Sequence, residues 1–132
     1  ADQYLIAMVS LETYCAEIFE IFDGIRDTSI ELRKALLADD WDAAGVILAK
    51  AHPERKRLSP NITTPHMDAL IDAALAAGAI APKVCGAGGG GCIAFFTEDG
   101  KLADVEAALA AQEGCRVLEW RPNLDGLTLS VS

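Results

Sequence analysis

Basic charge is scarce in this sequence: eleven Lys and Arg stand against twenty Asp and Glu, a formal net charge of −9 over 132 residues. A nucleic-acid-binding surface concentrates cations to displace counterions from phosphates, so a nucleic-acid partner is excluded on this balance, and an anionic membrane surface is disfavoured for the same reason. Long apolar runs are missing too, the longest falling far short of the ~20 residues that a bilayer span needs. The opening residues, ADQYLIAMVSLETYC, have no basic stretch ahead of their apolar one, which argues against a signal peptide; the missing initial Met fits a fragment or a processed chain. Histidine is limited to His52 and His66, neither with a neighbour at metal-ligand spacing, so both are expected at the surface and no metal site is expected. The four cysteines, Cys15, Cys85, Cys92 and Cys115, contain no CxxC pair and resemble neither a zinc site nor a disulfide framework. Cys85 and Cys92 can face each other across a turn, but scattered buried thiols in a reducing compartment are the reading adopted, and with it a cytoplasmic protein. Aromatics make up 6% of the chain, yet 52% of it is hydrophobic, much of that alanine, which suits close-packed helices and a core without staples.

What is present divides into a helical first part and a mixed second part. Leu5, Met8, Val9, Ala16, Phe19 and Phe22 recur at helical steps with Glu12, Glu17 and Glu20 between them. Ile6, Ile18, Ile21 and Ile25 widen this stripe beyond one packing face, so part of it is expected to meet another domain or a second copy. Gly24 is expected to interrupt the helix, which then runs on to about Ala38. Asp39 and Asp40 precede a second helix that starts at Trp41 and fades near His52-Pro53. Pro60 to Thr64 reads as a loop, and Thr64-Pro65 as the cap and first turn of a third helix along Met67, Leu70, Ile71, Ala74 and Leu75, with Gly78 as its stop. The period then changes. Ile80 to Cys85 and Cys92 to Phe96 have strand length, Leu102 to Leu109 is helical, and Arg116 to Trp120 and Leu127 to Val131 read as two further strands joined by a turn at Asn123 to Gly126. This order predicts an α+β domain over residues 1–132, with helices on one face of a small, mainly antiparallel four-stranded sheet.

The segment KVCGAGGGGCIAFF, Lys83 to Phe96, carries the chemistry. Gly86, Gly88, Gly89, Gly90 and Gly91 surround Ala87. A hairpin connection needs only two residues, and each glycine costs roughly 0.5–1 kcal/mol against alanine through unfolded-state entropy. A run this dense therefore points to a backbone that approaches a ligand closely, with successive N–H groups converging on an anion. GxGxxG is satisfied by Gly86, Gly88 and Gly91, but a strand follows where a dinucleotide fold requires a helix. A phosphate loop of the GxxxxGK type fails because Cys92-Ile93 stands where Lys-Ser/Thr must.

AGAIAPKVCGAGGGGCIAFF resembles the third conserved motif of the GHMP kinases. ELRKALLADDWDAAGVIL is similar to that family's helix pair, and LSPNITTPHMDALIDAALAAGA to the helix feeding the motif. Within the family, KRLSPNITTP and the closing strands look most like sugar kinases of the heptose-phosphate type. The resemblance implies a ferredoxin-like carboxy-terminal domain of a two-domain enzyme that passes the γ-phosphoryl of ATP to a sugar or sugar phosphate. It also implies that ATP and Mg2+ are held mainly by an amino-terminal domain, whose PxxxGLGSSA-type motif is not in this sequence. No catalytic residue is thus assigned in this chain, and the chain alone is expected to bind neither ATP nor Mg2+. The transferred role is limited to Gly86, Ala87, Gly88, Gly89, Gly90 and Gly91, which would help close the phosphate site.

Lys83, Lys56 and Thr63 are candidate substrate contacts, each with a plainer alternative. Lys83 can be a solvent-facing strand residue, and Arg55, Lys56 and Arg57 can be a solvated helix end whose cations suit the dipole. Thr64 is explained by capping. Asp23, Asp39, Asp40 and Asp125 read as turn and cap residues, and Trp41 and Trp120 as core. The rival to the kinase reading is a free-standing ferredoxin-like module whose glycine loop senses a small anion. Because the main phosphate loop and the magnesium ligand are not in these residues, the chain alone is expected to show only background ATP turnover in a coupled assay against sugars and sugar phosphates. Turnover that co-purifies with the chain would overturn the fragment reading.

Overall fold

The computed structural model describes residues 2–130, with side chains from residue 16 onward. Four helices and one hairpin follow in the order α1 (Asp2–Leu37), α2 (Trp41–Lys56), α3 (Pro65–Ala76), β1 (Ala79–Val84), β2 (Ile93–Thr97) and α4 (Leu102–Ala110). The side chains of Leu5, Ile6, Met8, Val9, Glu12 and Cys15, and residues 131 and 132, lie outside the described residues.

α1 is continuous through Gly24, contrary to the expected break. A helical glycine costs about 1 kcal/mol, too little to end a helix whose neighbours favour it and whose Asp23 and Arg26 form an i,i+3 ion pair at 2.9 Å. Its end is set by Asp39, whose φ of 56° is left-handed. The Asp40 N–H then reaches back to the Ala35 carbonyl at 3.0 Å, the six-to-one closure of a Schellman turn. Asp40 caps α2 by accepting from the Ala43 N–H at 3.0 Å, while the Asp39 carboxylate accepts from the Trp41 indole at 2.7 Å. The two aspartates thus fold α2 back on α1. The remaining cap expectations divide: Asp23 lies inside α1, and Asp125 sits in a turn where its N–H donates to Asn123 Oδ1.

α3 begins as read, with the Thr64 hydroxyl accepting from the Met67 N–H at 3.2 Å and Pro65 in the first turn. It stops at Gly78, which has φ 114° and where a Cβ would lie 2.7 Å from Lys101 Cγ. β1 and β2 pair antiparallel with Val84 opposite Ile93 and a bulge between Ala79 and Ala81. Ala74, Ala79, Val105 and Leu109 form a core between α3, α4 and the start of β1, with Phe95 packed against it. Phe96, on the alternate side of β2, stacks on Trp41 at 6.3 Å between ring centroids and comes against Gly45 of α2. Helices therefore flank both faces of the hairpin at this end, where the sequence predicted them on one. A two-stranded ribbon twists strongly and is narrow enough for helices to wrap around it.

The sheet has two strands among the described residues, not four. Residues 115–130 form no strand; Trp120 is 82% exposed, and Leu127 and Leu129 are as open. Alternation marks a segment able to pair, but a strand exists only when an edge accepts it. Trp120 is thus no core residue here, and Trp41 remains half-exposed. On α1, Ile21 is buried, whereas Phe19 at 68% and Phe22 at 53% exposure lie open, in keeping with a stripe wider than the domain covers.

Because Thr64 supplies the sole side-chain cap of α3, Thr64→Ala is expected to destabilise the domain by about 1 kcal/mol, with Thr64→Ser near the parent. Equal urea midpoints for parent and Thr64→Ala would refute that assignment.

Candidate functional site

The glycine loop joins β1 to β2, and its conformation explains its composition. Gly86, Gly88, Gly89 and Gly91 have φ between 69° and 97°, and Gly90 has φ 153°. L side chains rarely adopt any of these, so the density of glycine is a backbone requirement. At Gly88 the requirement is also steric: a Cβ there would stand 2.7 Å from the Ile62 carbonyl oxygen and 2.9 Å from its Cα. The Gly89 N–H donates to that same carbonyl at 3.0 Å. The close approach at this end of the loop is therefore to the protein's own Asn61–Ile62 backbone. At Gly86, Gly90 and Gly91, by contrast, an added Cβ would meet nothing within 4 Å. Among the described residues, the N–H groups of Ala87, Gly88, Gly90 and Gly91 have no protein acceptor.

A second anchor comes from α2. Arg55 directs its guanidinium at the end of β1, with Nη1 donating to the Val84 carbonyl at 2.6 Å and Nη2 to the Gly86 carbonyl. The Cys85 N–H donates to the Cys92 carbonyl at 2.9 Å, so Cys85 points its backbone toward β2 and the adjacent Val84 points outward. Arg55 thus takes up a carbonyl on the free edge of β1 and the first carbonyl of the loop. With both carbonyls turned to Arg55 and the Gly89 N–H turned to Ile62, the remaining loop amides stay unpaired among the described residues. The expectation of a solvated basic helix end fails for this residue. A guanidinium fork is shaped to bridge two acceptors, but only the fold shows that Arg55 has two carbonyls within reach.

Lys56 and Thr63, the other sequence candidates, make no hydrogen bond to the loop among the described residues. Lys56 Nζ is 3.0 Å from Asp68 Oδ1, and Thr63 is buried beside Ile62. The Lys56 hydrogen bond, then that of the Thr63 hydroxyl, hold the Asp68 carboxyl below its ordinary range. Burial first, and the Lys56 charge second, push His52 below the usual imidazole value. His52 is accordingly half-buried between these groups, while His66 is exposed as expected. Lys56 therefore fastens the end of α2 to the start of α3, next to the Asn61–Ile62 segment on which the glycines sit. Lys83 is exposed on β1 and lines, with His52 and Arg55, a groove of about 330 Å3 whose walls are Phe22, Ile25, Leu32, Leu48 and Val84. Among the described residues no three His, Cys, Asp or Glu side chains converge as a metal site would require, and no helix is long and apolar enough to cross a membrane.

The structure is thus an α+β domain whose strand hairpin ends in a pinned loop with every glycine at positive φ. The family model for GHMP kinases C terminal matches residues 32–114, which contain α2, α3, the hairpin and α4. The chain belongs to the GHMP kinase family, as its carboxy-terminal domain. It is also 27% identical over 95 residues to D-glycero-alpha-D-manno-heptose 7-phosphate kinase of Campylobacter jejuni, a match covering 72% of this chain and 28% of that protein.

The two Arg55 hydrogen bonds are charge-assisted, and losing them leaves two carbonyls at the loop mouth unpartnered. Arg55→Met is expected to destabilise the domain by about 2 kcal/mol, and Arg55→Lys to recover only part of this because an ammonium lacks the planar fork. Urea unfolding of the three proteins measures it; a Lys variant equal to the parent would show that charge alone suffices.

Proposed function

We propose that this chain is the carboxy-terminal domain of a cytoplasmic kinase that passes the γ-phosphoryl of ATP to a sugar or sugar phosphate, of the kind named by its heptose 7-phosphate kinase relative. The observation that carries this reading is the loop of Gly86 to Gly91, whose amides at Ala87, Gly88, Gly90 and Gly91 lack protein acceptors among the described residues, while its start is held by Arg55 and its middle by Ile62. Such a loop can surround phosphate oxygens without a side chain, and charge stabilisation with positioning is most of what phosphoryl transfer asks of a protein. ATP and Mg2+ would enter with an amino-terminal domain packed against this one, for which the open Phe19 and Phe22 of α1 offer an apolar face. The residues here fit the phosphate part of that ligand set: amide donors from the loop, with the Lys83 ammonium on the adjoining strand. Among the described residues no cluster suits the metal, which the other domain would supply. Arg55 and Ile62 keep the loop from collapsing into the space the phosphate would take. In the intact protein, residues 116–130 would extend the sheet along the free edge of β2, burying Leu127 and Leu129 and giving the four strands of the sequence reading.

The open side of the loop makes Gly90 the informative position, since a side chain there meets no protein atom within 4 Å. In the two-domain enzyme, Gly90→Val is expected to lower turnover per folded molecule several-hundred-fold, equivalent to about 3–4 kcal/mol of lost loop–phosphate interaction. The thermal midpoint of the same preparation should move far less. Normal turnover by that variant would take the loop out of the active site.

A further inference from the structure

The neck of the glycine loop carries two thiols that the phosphate site does not use. Val84 stands opposite Ile93 in the hairpin register, and the next pair outward is Cys85 and Cys92, joined by the N–H to carbonyl bond of 2.9 Å. Residues directly opposed in an antiparallel pair project to the same face, with Cα atoms about 5.5 Å apart when hydrogen-bonded. That separation lies within the roughly 4.4–6.8 Å that a disulfide spans. The exposure pattern agrees on the face. Lys83, Cys85, Cys92 and Ala94 share one side of the hairpin and all are exposed, whereas Val84, on the other side, is almost wholly buried. Both thiols are free and open to reagents, against the expectation of buried cysteines, while Cys115 is half-buried against the α3–α4 core.

We infer that Cys85 and Cys92 are a reversible dithiol–disulfide site that closes the mouth of the glycine loop under oxidising conditions. The oxidant is a low-molecular-weight disulfide. One cysteine thiolate attacks it, forming a mixed disulfide and releasing one small thiol; the second cysteine then attacks the first cysteine's sulfur and releases the other. The two protein sulfurs lose two electrons and two protons, which leave on the two small thiols, and reduction by excess small thiol runs the same steps backward. The folded hairpin already holds the partners opposed, so the bond forms with little backbone movement. The ring it closes, Cys85 to Cys92, encloses the whole loop and restricts its opening. The inference requires no assignment of what the loop binds.

The chain is equilibrated with oxidised and reduced glutathione, folded in buffer and unfolded in urea, then acid-quenched, alkylated and mapped by peptide mass. The expected product in buffer is a peptide pair joined through Cys85 and Cys92, two hydrogen atoms lighter and with two fewer alkylated sites. Its equilibrium constant should exceed the value in urea by about tenfold or more, because folding pre-closes the loop. Cys92→Ser should carry Cys85 only as a glutathione adduct, and Cys115→Ser should keep the bond. Glutathione adducts on both cysteines of the folded parent, a link to Cys15, Cys115 or another chain, or equal constants in buffer and urea would each overturn the proposal. The mapping of the unsubstituted chain decides this even if a variant fails to fold.

Discussion

The placement of the glycine loop depends on one contact, the seating of Gly88 and Gly89 on the backbone at Ile62. A Cβ at Gly88 would fall inside the van der Waals envelope of that backbone, and the Gly89 N–H spends its hydrogen bond there. Everything around the contact serves to keep Ile62 where it is. Ile62 and Thr63 are buried, Thr64 turns the chain into α3, and the Lys56–Asp68 ion pair ties the end of α2 to the first turn of α3. That pair is partly exposed, so its own contribution is modest, on the order of 1 kcal/mol or less. Its importance is geometric, since it sets the distance between two helices whose connection forms the floor of the loop.

Arg55 performs the complementary task from the other side. A two-stranded hairpin has two free edges, and an open edge invites pairing by another chain. By donating to Val84 and Gly86, the guanidinium occupies the β1 edge where the strand passes into the loop. The same bonds gather two carbonyl oxygens on one side chain, which a planar fork of donors is shaped to do.

The GHMP kinase match spans residues 32–114 and leaves most of α1, with its open apolar face, outside it. The stretch matched by the heptose 7-phosphate kinase relative is 28% of that protein's length, and the described surface of this chain includes apolar side chains that its own core does not cover. Phe19 and Phe22 on α1, and Leu127 and Leu129 near the end of the chain, are such surfaces. The hydrophobic effect disfavours leaving them in water, at roughly 25 cal/mol per Å2, which is the driving force for whatever covers them.

Local chemistry made much of this protein legible in one dimension. Asp40 and Thr64 cap helices because their oxygens reach N–H groups three residues on, and Gly78 ends a helix because it tolerates positive φ. The glycine run announced a special backbone for the same reason, and the motif around it named the family. Other features depend on what lies beside a residue in space. The continuation of α1 through Gly24, the exposure of Trp41 and Trp120, and the unpaired segment 115–130 were misjudged because periodicity states which residues can be buried, not whether a partner is there to bury them. The sequence by itself determined where α2 and α3 start, where α3 stops and that the glycine run needs a special backbone, but not that α2 runs on through Pro53 to Lys56. Only the tertiary structure decided that Gly88 is glycine for Ile62 and that Arg55 is an anchor rather than a solvated cation, and only it put Cys85 and Cys92, which the sequence allowed to face each other, on one exposed face. The first two are contacts between residues far apart in the chain, and no local pattern encodes them.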